Sequence, residues 1–220
     1  GLVSTIEATF NRLELPMALG YSSAGTITDV GEGLEGYKVG DRVACAGGGY
    51  AVHAEFAVVP QNLLTHLPAE VDFESAAFTT IGAIAMHGFR LAQPQLGERV
   101  AVIGLGLLGL ISVGIARAAG CKVFGVDLDP KRVELGKIMG AHAVLRKDAE
   151  SNGESFSQGE GFDSVLICAD SSSNDPLELS GKLAGDRATV VAVGAVGMNI
   201  PRKVFFEKEI NFLVSRSYGP

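Results

Sequence analysis

The sequence predicts an α/β fold, a doubly wound parallel sheet preceded by part of an all-β unit. Three observations carry that expectation. A short β-branched run, residues 99–103, leads directly into Gly104-Leu105-Gly106-Leu107-Leu108-Gly109 and then an Ala/Leu/Ile-rich stretch to Ala119. Strand-like and helix-like segments alternate from residue 72 onward, the pattern that makes a parallel sheet with right-handed crossovers. From Gly20 to Pro68 the texture differs: short apolar runs (24–30, 42–46, 54–59) are separated by turns such as Gly31-Glu32-Gly33 and Gly47-Gly48-Gly49. That reads as part of a small barrel or meander. The change of texture places a domain boundary at 73/74, with units 1–73 and 74–220.

In the α/β part each element has a local signal. Asp72 before Glu74-Ser75-Ala76-Ala77 is a capped helix start. Residues 122–126 form a second strand, and Pro130 sits at a first helical turn before residues 131–139, which Gly140 stops. Strands follow at 143–145, 163–168, 188–193 and 210–215, with a helix at 177–183. The polar segment 147–161 is left between helix and loop.

Bulk properties exclude several classes. The 220 residues carry a formal net charge of −7 and no Lys/Arg-rich run, which argues against a nucleic-acid or anionic-membrane surface. The longest apolar stretch, 100–119, is broken by glycines and by Arg117, so a strand–turn–helix explains it better than a membrane span. Cys45, Cys121 and Cys168 are odd in number and widely spaced. Thiols in a reducing cytoplasm are expected, with no signal peptide. Gly1 is not a methionine and Pro220 follows a strand-like run, so the sequence reads as a piece of a longer chain.

Residues 104–109 fit G-x-G-x-x-G in the setting the chemistry needs, after a strand and opening a helix. Gly104 permits a sharp turn, Gly106 lets main-chain N–H groups approach a pyrophosphate, and Gly109 lets the helix pack closely on the strand. The helix N-terminus offers unpaired donors and a partial positive charge. Asp127 ends the second strand about twenty residues on, where a carboxylate would hold the adenosine ribose hydroxyls. Its charge disfavours a 2′-phosphate, so NAD is expected over NADP; Lys131 and Arg132 just beyond soften that preference. A Rossmann sheet carries its cofactor across the carboxyl ends of the strands. Cys168 and Ala169, then Val193, Gly194 and Ala195, are therefore further candidates. Gly194 serves either a close approach to a nicotinamide amide or simply a turn.

The run Gly36-Tyr37-Lys38-Val39-Gly40-Asp41-Arg42-Val43, the stretch Glu74-Ser75-Ala76-Ala77 and the GLGLLG turn together resemble the medium-chain dehydrogenase/reductase superfamily. More narrowly, Leu19-Gly20-Tyr21-Ser22-Ser23-Ala24-Gly25 and the closing Ser215-Arg216-Ser217-Tyr218-Gly219-Pro220 look like bi-domain oxidoreductases. There a second oxidoreductase domain follows the medium-chain half. The resemblance implies a GroES-like catalytic domain before the Rossmann domain, a small-molecule substrate, and pairing of two copies through the edge strand at 210–215.

It also implies a comparison of zinc positions. Zinc-dependent members have Gly-His-Glu where this sequence has Gly20-Tyr21-Ser22, and Thr80 falls at a later Cys position. Another ligand would lie near or before Gly1. The four histidines (His53, His66, His87, His142) share no metal-type spacing. A zinc-free member is expected, with Tyr21, Ser22, Thr79 and Thr80 either donating hydrogen bonds to a developing oxyanion or merely lining a pocket. The expected activity is NAD-linked hydride transfer to or from a small alcohol, carbonyl, enone or quinone-like substrate. The alternative is a nucleotide-binding module of a larger protein with no complete active site of its own.

Overall fold

The computed structural model describes residues 18–219. The chain divides into two compact units, Gly1–Thr80 and Ile81–Pro220. The change of texture at 73/74 lies within the first.

In the first unit, β1 (Ser22–Thr26), β2 (Arg42–Ala46) and β3 (Leu64–His66) form an antiparallel sheet in that order. Tyr37 stacks on His66 with ring centroids 4.5 Å apart, and its hydroxyl donates to the Leu64 carbonyl at 3.1 Å. Together they pin the 36–41 loop to β3. The Arg42 guanidinium donates to the carbonyls of Pro68, Ala69 and Val71. A short helix, α1 (Phe73–Ala76), is capped by Asp72, whose carboxylate accepts from the Ser75 N–H at 2.6 Å.

The strand expected at 54–59 is not formed. Phe56 is 76% and Val58 91% exposed, and among the described residues no strand pairs with them. Alternation marks a face; only a ladder partner makes it a strand.

The second unit is a six-stranded parallel sheet. Its strands are β4 (Arg99–Ile103), β5 (Lys122–Asp127), β6 (His142–Leu145), β7 (Phe162–Ile167), β8 (Ala184–Ala192) and β9 (Asn211–Val214). They lie in the order β6-β5-β4-β7-β8-β9. The chain winds outward from β4 in one direction and then returns to add β7 on its other side. In sheets of this kind ligands bind where the strand order reverses, here at the carboxyl ends of β4 and β7.

Helix α2 (Thr79–Ala92) begins at the end of the first unit. Five helices follow within the second: α3 (Leu107–Ala118), α4 (Pro130–Ile138), α5 (Ala149–Ser157), α6 (Asp175–Leu183) and α7 (Arg202–Glu207). Because helices cover both faces, β4 is buried from Val100 to Ile103 and reads as a continuous apolar run rather than an alternating one. Ala101, Ile103, Phe124 and Ile167 join one core, and Val100, Val102, Val123 and Leu166 the other.

Segment 147–161 resolves into α5. Its Gly153 is required by packing, since a Cβ there would lie 2.6 Å from the Leu183 side chain.

Candidate functional site

Register decides what meets at the sheet edge. Ile103 is level with Val126 on one side and Ile167 on the other, Ile167 with Ala192, and Ala192 with Val214. The next residues along each strand therefore share one edge: Gly104, Asp127, Cys168 and Val193. Four stretches scattered over about ninety residues of sequence are brought together by one alignment.

The turn itself is built from main chain. Gly104 has φ +95°, and a Cβ on it would lie 2.6 Å from the Ala169 nitrogen. A Cβ on Gly109 would overlap the Gly104 carbonyl oxygen. Both positions thus need glycine for reasons internal to the fold, one of backbone conformation and one of helix–turn contact. Gly106 is different. Its φ of −70° suits any residue, and a Cβ there would meet no protein atom within 4 Å.

Gly106 is the N-cap of α3 and supplies no side-chain cap. The N–H groups at Leu107, Leu108 and Gly109 open a twelve-residue helix whose first turn has no intrahelical acceptors. These amides and the helix dipole suit a pyrophosphate, and a bare Gly106 gives it unobstructed access. The residues present fit a dinucleotide.

Asp127 closes the other side of the turn. Its carboxylate is 8% exposed. Oδ2 accepts from the Leu105 N–H at 2.7 Å, and Oδ1 accepts from the Asp129 N–H at 2.9 Å. A carboxylate has about four lone-pair sites, so two bonds leave room for ribose hydroxyls. The Arg132 guanidinium stands 3.9 Å from Oδ2 and is 55% exposed. Asp129, unremarked in the sequence, caps α4 by accepting from the Lys131 N–H at 2.8 Å. An Asp directly before Pro130 was the available signal.

Beyond β7 and β8 the two loops are sewn together. The Ser171 N–H donates to the Ala195 carbonyl, and Asn174 bonds Asn199 in both directions. A Cβ on Gly194 would overlap the Ala169 carbonyl oxygen. Packing alone therefore requires glycine at 194, whatever approaches it from outside. Ala169, whose main chain abuts both Gly104 and Gly194, organises this edge. Only the facing pair of glycines could have announced it. Cys168 lies beneath the turn with its sulfur 3.7 Å from the Ser112 hydroxyl, and burial pushes its thiol up to about 11.

The hydroxyl candidates of the first unit separate into two kinds. Ser22 Oγ donates to the Ala77 carbonyl at 2.5 Å, and Thr80 Oγ1, 2% exposed, donates to the Cys45 carbonyl at 3.2 Å. A hydroxyl has one proton to donate, so both are engaged in holding the unit together rather than free for an oxyanion. Tyr21 is 46% exposed.

Zinc needs three or four converging Cys, His or carboxylate ligands. Among the described residues no group of three or more His, Cys, Asp or Glu side chains is placed to hold a metal ion. The position expected near or before Gly1 lies outside the described residues. The donor set that is described does not fit zinc.

A parallel sheet with its order reversed beside a glycine turn, and an acid at the end of the next strand, defines a Rossmann-type fold. Comparison with known proteins gives the family. Residues 108–220 match the zinc-binding dehydrogenase family and residues 3–69 the alcohol dehydrogenase GroES-like domain. The chain belongs to the zinc-binding dehydrogenase family, within the medium-chain dehydrogenase/reductase superfamily.

It is 31% identical over 156 residues to the (R,R)-butanediol dehydrogenase of Bacillus subtilis, a match covering 59% of this chain and 44% of that one. It is 29% identical over 178 residues to a probable D-xylulose reductase of Arthroderma otae, covering 67% and 50%. The crystal structure of the Bacillus subtilis 2R,3R-butanediol dehydrogenase superposes with a TM-score of 0.83 at 25% identity, covering 93% of this chain and 66% of that one. The chain thus spans about half the length of these curated relatives. Among the described residues, no helix is long and apolar enough to cross a membrane.

Proposed function

We propose that the chain binds NAD(H) and belongs to a zinc-independent oxidoreductase that moves hydride to or from a small alcohol or carbonyl compound. The observation that carries this reading is Gly106, the one glycine of the turn whose lack of a side chain nothing in the protein requires. In this reading Leu107, Leu108 and Gly109 donate main-chain N–H groups to the pyrophosphate, while Asp127 holds the adenosine ribose. Val193 and Ala195 border the nicotinamide end. NAD supplies the hydride acceptor or donor; the protein supplies orientation and a shielded edge.

Proton transfer falls to Tyr21 or Thr79, because Ser22 and Thr80 already donate to carbonyls. Tyr21 where the family has a histidine ligand and Thr80 where it has a cysteine support zinc independence. Relatives named for butanediol and xylulose support an alcohol/carbonyl substrate over an enone or quinone. Free Cys45, Cys121 and Cys168 fit a reducing cytoplasm. The engagement of Ser22 and Thr80 with carbonyls favours one second reading, a nucleotide-binding module of a larger protein with no complete active site of its own.

NADH fluorescence titration of the chain tests the cofactor reading, and the absence of any spectral change at millimolar NADH would refute it. Metal analysis of untagged protein should find substoichiometric zinc; one zinc per chain would overturn zinc independence. Turnover of alcohols, ketones, enones and quinones separates the enzyme from the binding module.

A further inference from the structure

The loop beyond β8 is held from one side. Among the described residues, every hydrogen bond made by residues 194–199 runs to residues 167–174. The Gly194 N–H donates to the Ile167 carbonyl, the Ser171 N–H to that of Ala195, and the Gly197 N–H to that of Ser173. The two loops thus prolong the β7–β8 pairing past the ends of the strands. Asn174 makes the last link with its side chain, from a position directly before α6. Its Oδ1 accepts from the Asn199 N–H at 2.9 Å, and its Nδ2 donates to the Asn199 carbonyl at 2.9 Å. The amide pairs with residue 199 as a peptide group of a neighbouring strand would. Glu178, in the first turn of α6, fixes its orientation by accepting from the same Nδ2 at 3.0 Å. A reversed amide would set a donor against the Asn199 N–H. Gly197 shows how closely the loops approach, since a Cβ there would lie 3.0 Å from the Asn174 main-chain nitrogen.

We propose that Asn174 is a positioning residue for the nicotinamide end of the cofactor: by clasping Asn199 it fixes the 193–199 loop, whose Val193 and Ala195 border that end. The inference rests on the nucleotide-site reading above. Asn174 acts through the loop, which it holds in one shape before the cofactor arrives, so that binding has no ordering cost to meet there. Without the clasp the loop is tied down only as far as Gly197, and the surface it offers the nicotinamide is no longer single. The adenosine end depends on Asp127, which is held by the Leu105 and Asp129 amides and shares no hydrogen bond with this loop among the described residues. The clasp therefore acts on one half of the dinucleotide and spares the other.

Two probes separate the ends. NADH reports on the nicotinamide through its own fluorescence, while 5′-ADP, followed by calorimetry, carries only the adenosine and the diphosphate. Asn174→Ala should weaken NADH about fivefold and leave 5′-ADP within about twofold of the wild type. The emission of bound NADH should also move towards that of free NADH, which a loss of stability alone would not bring about. Gly197→Ala reaches the same loop by another route, prising it from Asn174 with a methyl group, and should give the same pattern. Equal losses of NADH and 5′-ADP in both variants, or undiminished NADH affinity in both, would overturn the positioning role while leaving the nucleotide site in place. Failure of the wild-type chain to bind either probe would instead remove the site, and this inference with it.

Discussion

The main-chain N–H of Leu105 donates to Oδ2 of Asp127 at 2.7 Å, which ties the middle of the glycine turn to the end of the neighbouring strand. The acid that faces the ribose in the proposed complex is thus also part of the turn that faces the pyrophosphate. Leu105 is fully buried, so its amide has no water to fall back on. Asp127→Ala should cost about 1–3 kcal/mol in urea unfolding, the penalty of an unpaired buried donor. It should also narrow the preference for NADH over NADPH. An unchanged midpoint would show that the amide finds another partner; an unchanged cofactor ratio would remove Asp127 from the ribose site.

Gly109→Ala should destabilise the second unit by about 2–3 kcal/mol, because its Cβ would overlap the Gly104 carbonyl and push α3 off the turn. Thermal unfolding followed by circular dichroism measures this directly. A wild-type midpoint would mean that helix and turn are looser than their contact implies.

The Cys168 thiol sets a limit on the alkaline side. Burial raises its folded-state value from the ordinary 9.0 to about 11, so the folded state holds its proton more tightly than the unfolded one. Stability from this group is complete below about pH 9 and declines as pH rises towards 11, by up to about 2 kcal/mol. Urea midpoints measured across that range should fall more steeply for the wild type than for Cys168→Ala. Parallel slopes would contradict the assignment.

Lys208 Nζ donates to the carbonyls of Gly181, Lys182 and Ala184, closing the C-terminal end of α6. Lys208→Met keeps the length of the side chain and removes the donors. It should lower stability by about 1–2 kcal/mol with no effect on nucleotide affinity, since this end of the sheet lies opposite the glycine turn. A change in affinity without a change in stability would be unexpected.

How much of this was legible in the sequence follows from how local each signal is. The strand, glycine turn, helix and following strand from 99 to 127 read directly, because each glycine and the closing acid act within one supersecondary unit. The engagement of Ser22 with Ala77 and of Thr80 with Cys45 did not, since the partners lie 55 and 35 residues away and are main-chain atoms without a sequence signature. Helix α5 stayed ambiguous because its polar, glycine-containing segment has weak helix propensity, and packing on Leu183 and Phe162 holds it. The six-residue α7 was missed because it is too short to show a helical period. At 54–59 the error ran the other way, local alternation suggesting a strand that pairs with nothing described.

The most direct test compares Gly106→Ala with the wild type by NADH titration and by urea unfolding on the same preparations. A methyl group there meets no protein atom within 4 Å, and φ of −70° accommodates it. Stability should therefore change by less than about 1 kcal/mol, while NADH affinity falls at least about tenfold because the Cβ intrudes on the pyrophosphate. Undiminished NADH affinity in a well-folded Gly106→Ala chain would contradict the account.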